Sequence, residues 1–88
     1  MSPYSLWEIV WDDRAAADLD RLDWQSADRV IAAVERLAMT GHGDVKRLDG
    51  MEKVWRLRVG ERRVLLVLDE EHETVWVARV KPRGNAYR

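Results

Sequence analysis

The sequence predicts an α+β domain in which an antiparallel sheet carries an N-terminal helix hairpin on one face, in the order β-α-α-β-β-β. Three observations predict it. Residues 27–38 place Ala27, Val30, Ile31, Val34, Leu37 and Ala38 at the i, i+3, i+4, i+7 spacing of an amphipathic helix. Residues 54–68 form two β-branched, leucine-rich runs divided by Gly60-Glu61, a two-residue hairpin signal. A chain of 88 residues with no cysteine has room for one thin core and no disulfide staple.

The elements follow in order. Tyr4–Trp11 (YSLWEIVW) is aromatic and β-branched and reads as a strand. Asp12 or Asp13 caps a first helix over Asp13–Leu22, because a carboxylate there accepts the free N–H groups of the first turn. Asp23 caps the second helix, and Thr40-Gly41 ends it, since glycine accepts the left-handed position past a helix C-terminus. The few residues between the helices predict an antiparallel hairpin. His42–Lys53 reads as a loop with a short extended piece near Val45–Leu48. The remaining strands are Val54–Val59, Arg62–Leu68 and Thr74–Val80, with an acidic turn at Asp69–Glu73 and a tail from Lys81.

Composition excludes several classes. Cysteine clusters are absent, and two histidines, His42 and His72, do not make a histidine-rich metal site. No apolar run reaches 18 residues, and the first residues lack the charged and apolar regions of a signal peptide, so a cytoplasmic protein is expected. The five glycines are scattered, so there is no phosphate loop, and no cofactor or metal is expected. Both histidines read as loop residues. Trp7, Trp11, Trp55 and Trp76 fall in strands and read as core or rim packing rather than base-stacking platforms.

Net charge is −1, which alone argues against generic nucleic-acid binding. The halves differ, however. Residues 1–44 hold nine acids and four bases, whereas residues 45–88 hold eleven bases and seven acids. Such asymmetry points to an anionic partner for the second half or to an unevenly charged surface.

The hairpin register is more specific. A turn at Gly60-Glu61 pairs Arg58 with Arg63 and Leu57 with Val64. One face then holds Leu57, Val59, Val64, Leu66 and Leu68, and the other holds Arg56, Arg58 and Arg63. Like charges directly opposite repel, so an anion between Arg58 and Arg63 is one compensation. Ion pairs with first-half acids such as Glu8 or Asp12 are another. If Val75 and Val77 sit beside Val67 and Leu65, Arg79 and Lys81 join the arginine face.

Several stretches resemble the RelE/ParE toxin superfamily of type II toxin–antitoxin systems. They are W-E-I-V-W at 7–11, A-A-A-D-L-D-R-L at 15–22, V-K-R-L-D-G at 45–50, V-W-R-L-R-V-G at 54–60, E-R-R-V-L-L-V-L-D at 61–69, and V-A-R-V at 77–80 followed by a terminal tyrosine. The resemblance runs from Trp7 to Arg88. It implies a small twisted antiparallel sheet with the helix hairpin on one face. It also implies a toxin that cleaves mRNA on the ribosome without a metal. In that reading Arg63 and Arg83 hold the scissile phosphate, Arg58 and Arg56 extend the cradle, and Tyr87 orients or deprotonates the 2′-OH or stacks on a base. Lys81, Arg79 and Arg47 complete the substrate-binding set. Arginine suits the task because its planar fork grips phosphate and never deprotonates. Relatives often carry lysine on the second strand of the chain, Val54–Val59 here, where Arg56 and Arg58 stand, so the general base is left open. The implied partners are a cognate antitoxin, the ribosome and mRNA. The alternatives are a ParE-like toxin that inhibits DNA gyrase without hydrolysis, or an inactive interaction module of the same fold.

Overall fold

The computed structural model describes residues 6–48, 50 and 53–82. Strand β1 (Glu8–Trp11) leads to helix α1 (Asp13–Asp20) and helix α2 (Trp24–Thr40). Strands β2 (Val45–Arg47), β3 (Val54–Val59), β4 (Arg62–Asp69) and β5 (Thr74–Lys81) follow. The five strands form one sheet in the order β1-β5-β4-β3-β2. Every pairing is antiparallel except β1 with β5, which is parallel. The expected α+β architecture is present, with one strand more than the predicted order, because the short extended piece expected near Val45–Leu48 pairs along β3 as Val45–Arg47.

Local chemistry places the helix ends where the sequence does. The Asp12 carboxylate accepts the Arg14 N–H at 2.9 Å. The Asp23 carboxylate accepts the Ser26 N–H at 3.1 Å and the Ser26 hydroxyl at 2.7 Å, and these bonds hold its pKa below the ordinary aspartate value. Gly41 closes α2 at φ 77°, donating its N–H to the Leu37 carbonyl at 2.8 Å. In the β3–β4 turn, positive φ falls on Gly60 and not on Glu61, as a type II′ turn requires.

That turn fixes the register. Arg58 faces Arg63, Leu57 faces Val64 and Val59 faces Arg62. Leu57, Val64 and Leu66 are fully buried beneath Val30 and Val34 of α2 and Ala15 of α1. The helices thus cover one face of the sheet, with α1 along β5 and α2 across β1 and β3.

The last strand departs from expectation. Val75 and Val77 lie beside Leu68 and Leu66 on the buried face, not beside Val67 and Leu65. Strict alternation would then turn Arg79 and Lys81 into the core as well. A bulge prevents this: Leu66 pairs with Val77 and Leu65 with Arg79, so Ala78 is an extra residue on β5. After the bulge Val80 returns to the core beside Val64, while Arg79 and Lys81 share the outer face with Leu65 and Arg63.

Asp18 braces the bulged end. The pairing of β1 with β5 ends at Trp11 and Val77, with Asp12 donating its N–H to the Val77 carbonyl at 2.9 Å. Beyond that point α1 replaces the missing strand. The Asp18 carboxylate, 8% exposed, accepts the Val80 N–H at 2.8 Å. It also accepts Arg79 Nε at 2.9 Å and Arg79 Nη2 at 3.2 Å. The Arg79 hydrogen bond holds its pKa below the ordinary value of 3.8, against the opposing effect of burial.

Because the ionised carboxylate is the form the fold prefers, its contribution is complete above the ordinary aspartate pKa and drains away as pH falls below it. Replacing Asp18 by alanine orphans the Val80 N–H and removes the Arg79 partner, at a cost of about 2–3 kcal/mol. The expected drop in melting temperature near pH 7 is roughly 10–20 °C by calorimetry. Asp18→Asn should show a smaller difference from wild type as the pH is lowered towards 3, since the wild-type advantage disappears there.

Candidate functional site

The outer face of the sheet reads as rungs across the strands, because directly paired residues share a face. One rung runs Lys46, Arg56, Leu65, Arg79 from β2 to β5. The next runs Arg58, Arg63, Lys81 from β3 to β5. Neither rung contains an acid, and no helix among the described residues covers them. Neighbouring strands stand about 4.8 Å apart, so Arg58, Arg63 and Lys81 place three cationic stems within about 10 Å. Side by side they repel one another, and an anion with several oxygens relieves that repulsion and gains charge-assisted hydrogen bonds.

Arg58 is exposed, and Arg56, Arg63 and Lys81 are half-buried, so their aliphatic stems pack on the sheet while their charges reach its surface. Arg79 stands in the same region, but its guanidinium is committed to Asp18. A first-half acid does neutralise one of these arginines, and it is Asp18 rather than Glu8 or Asp12. Arg79 therefore holds the end of β5 and brings Lys81 to its place beside Arg63.

Arg47 does not join the group. It pairs with Trp55, two strands from buried Leu66, and its guanidinium lies 5.8 Å from the centre of the Trp55 ring. That is the helix-covered face, where Arg47, Trp55, Trp7 and Leu68 line a cleft of about 530 Å³. The period of two explains the separation: if Val45 is opposite Leu57, Lys46 is outward and Arg47 inward. Lys46 is the cation of this face that sequence reasoning missed. The matching apolar pair Val45 and Leu57 was the signal available for it. Arg83 and Tyr87 lie outside the described residues.

Of the core and rim positions expected for the tryptophans, Trp76 is not in the core: it lies between Val10 and Val67 on the outer face and is 44% exposed. His72 stays at the far, acidic turn, where Asp69 accepts its N–H at 3.2 Å and contacts Nδ1 at 2.8 Å. Among the described residues, no helix is long and apolar enough to cross a membrane.

The chain is similar in fold to the toxin–antitoxin complex RelBE2 of Mycobacterium tuberculosis, at 24% identity over 91% of this chain and 94% of the other, with TM-score 0.79. It is similar to the archaeal RelE–RelB complex of Pyrococcus horikoshii, at 20% identity over 91% and 98%, TM-score 0.78. It is also similar to the isolated E. coli RelE toxin, at 16% identity over 92% and 90%, TM-score 0.75. No curated protein matches it. The family model described as the ParE toxin of type II toxin–antitoxin systems, parDE, matches residues 9–87. The chain belongs to this toxin family, within the RelE/ParE superfamily.

The geometry separates two adjacent residues by face, and that separation is measurable. Polyphosphate should bind the outer face. Lys46→Ala and Arg58→Ala should each lower its affinity and reduce the slope of log K against log salt by roughly 0.7–0.9. Arg47→Ala should leave that slope unchanged. Titration calorimetry at several salt concentrations checks all three.

Proposed function

We propose that this toxin is a ribosome-dependent mRNA endoribonuclease whose outer sheet face holds the scissile phosphate. The observation that carries the reading is the rung Arg58, Arg63, Lys81, with Arg56 and Lys46 in the next rung. Guanidinium forks and ammonium groups are the side chains that bind phosphate.

The nucleophile is supplied by the RNA itself. The ribose 2′-oxygen attacks its own 3′-phosphorus. The O2′–P bond forms and the P–O5′ bond breaks, leaving a 2′,3′-cyclic phosphate and a free 5′-hydroxyl. The proton of the 2′-OH passes to Tyr87 or to water, and water returns one to the departing 5′-oxygen. Negative charge builds on the phosphoryl oxygens in the transition state, where Arg63 and Arg83 stabilise it and Arg58 and Arg56 extend the grip. Tyr87 orients the 2′-OH or removes its proton. Binding to the ribosome supplies the alignment of O2′, phosphorus and O5′ that cationic side chains alone do not impose.

The partner that restrains such a toxin is a cognate antitoxin. The similar RelE structures from Mycobacterium tuberculosis and Pyrococcus horikoshii are toxin–antitoxin complexes, which supports that assignment. An acidic antitoxin segment over the Arg58–Arg63 rung neutralises the same repulsion as substrate phosphate does.

Induced expression should arrest translation, and primer extension should reveal cuts in translated mRNA only. Arg63→Ala, Arg83→Ala and Tyr87→Phe should each slow cleavage, with loss of an oriented cation costing about 100-fold. Arrested replication with gyrase trapped on DNA, and toxicity intact in all three variants, defeats the nuclease reading in favour of gyrase inhibition.

A further inference from the structure

Among the described residues four large apolar side chains are exposed: Leu6, Trp24, Met39 and Trp76. Trp24 and Met39 belong to α2, and Leu6 precedes β1. Only Trp76 shares a sheet face with the cations. Its rung runs Val10, Trp76, Val67, Val54 across β1, β5, β4 and β3. The valines at its sides are half-buried, so the indole is the most exposed apolar surface of that rung.

The spacing is regular. Along β4 the outward residues are Val67, Leu65 and Arg63, one per rung. Successive outward positions are about 6.6 Å apart, so the Trp76 rung lies about 13 Å from the Arg58–Arg63–Lys81 rung. That is a span of about two nucleotides in an extended strand. Between them stands the rung bearing Arg56 and Lys46. An aromatic platform continuous with a track of cations is the arrangement that binds single-stranded nucleic acid, with bases on the ring and phosphates on the charges. Trp76 stands at the boundary between these cations and the Glu8–Thr74–Asp69 rung beyond it, an exposed ring that a stacked base would cover.

We infer that Trp76 is a substrate-positioning residue, on which a base of single-stranded RNA about two nucleotides from the Arg63-bound phosphate stacks. The inference rests on the proposed function for the identity of its ligand as RNA. It adds a subsite to that reading. A stacked base fixes the strand in register, so that the phosphate delivered to Arg58 and Arg63 is the intended one. Stacking accepts any base, so this subsite positions the strand without selecting its sequence.

Two measurements test it. In single-turnover cleavage on programmed ribosomes, Trp76→Ala should raise the half-saturating toxin concentration by about 5- to 100-fold, leaving the limiting rate within about twofold. Trp76→Phe should restore binding to within about threefold. A merely structural tryptophan would instead change the melting temperature. In parallel, a labelled oligoadenylate is titrated into the free protein by fluorescence anisotropy, with duplex RNA as the ineffective competitor. Weaker binding by Trp76→Ala and rescue by Trp76→Phe support the subsite even where wild type cleaves nothing; in that outcome the nuclease reading falls and the RNA-binding face stands. Normal cleavage and normal oligoadenylate binding by Trp76→Ala overturn the inference and leave the nuclease reading intact. Loss of antitoxin binding alone overturns it also, assigning Trp76 to a protein interface.

Discussion

One carboxylate holds the arrangement of the last strand. Asp18 accepts the Val80 N–H and both reachable nitrogens of Arg79, at the end of β5 that β1 does not reach. The bulge at Ala78 lies just before these two residues. A bulge removes regular pairing and leaves backbone groups to be satisfied otherwise. Asp18 satisfies one of them from the helix. It also neutralises the arginine that the bulge brings to the edge. Burying the carboxylate is tolerable because hydrogen bonds and a cation surround it.

The outer face depends on this brace. Val80 anchors β5 in the core, so Lys81 points outward beside Arg63. Without the change of alternation, Lys81 would lie on the apolar face and the Arg58–Arg63 pair would lack its third cation. The division of labour among the arginines follows. Arg79 is neutralised and fixes the backbone, whereas Arg56, Arg58 and Lys46 keep their charge on a surface with no acid in their rungs. A chain of net charge −1 thus presents locally cationic rungs, while Asp12 and Asp23 cap helices, Asp18 braces the edge and Asp69–Glu73 form the far turn.

What could be read from the sequence was what local chemistry determines. Asp12, Asp23 and Gly41 mark helix ends through bonds within a few residues, and they act there. Gly60 sets the β3–β4 register through its own backbone angle, so the Arg58–Arg63 pair was legible. The register of β5 was not, because a turn of Asp69–Glu73 length does not fix it. The bulge depends on Asp18, 62 residues before Val80. Strand β2 has three residues and no turn of its own, so the inward and outward roles of Arg47 and Lys46 emerged only from pairing with β3. For Trp76 the residue type left core and rim packing open. Its position in the alternation decides between them. For Arg83 and Tyr87 the reading still rests on resemblance alone.

The parallel pairing of β1 with β5 has a consequence for the order of events during synthesis. Glu8 pairs with Thr74, so the first strand has no neighbour until the last has been made. Contacts this distant in sequence close late and slow folding. Both helices can form on the nascent chain, but the sheet that orders the cations cannot be completed until β5 clears the ribosome. The Arg58–Arg63–Lys81 rung and the β1–β5 edge are therefore complete only once β5 is in place.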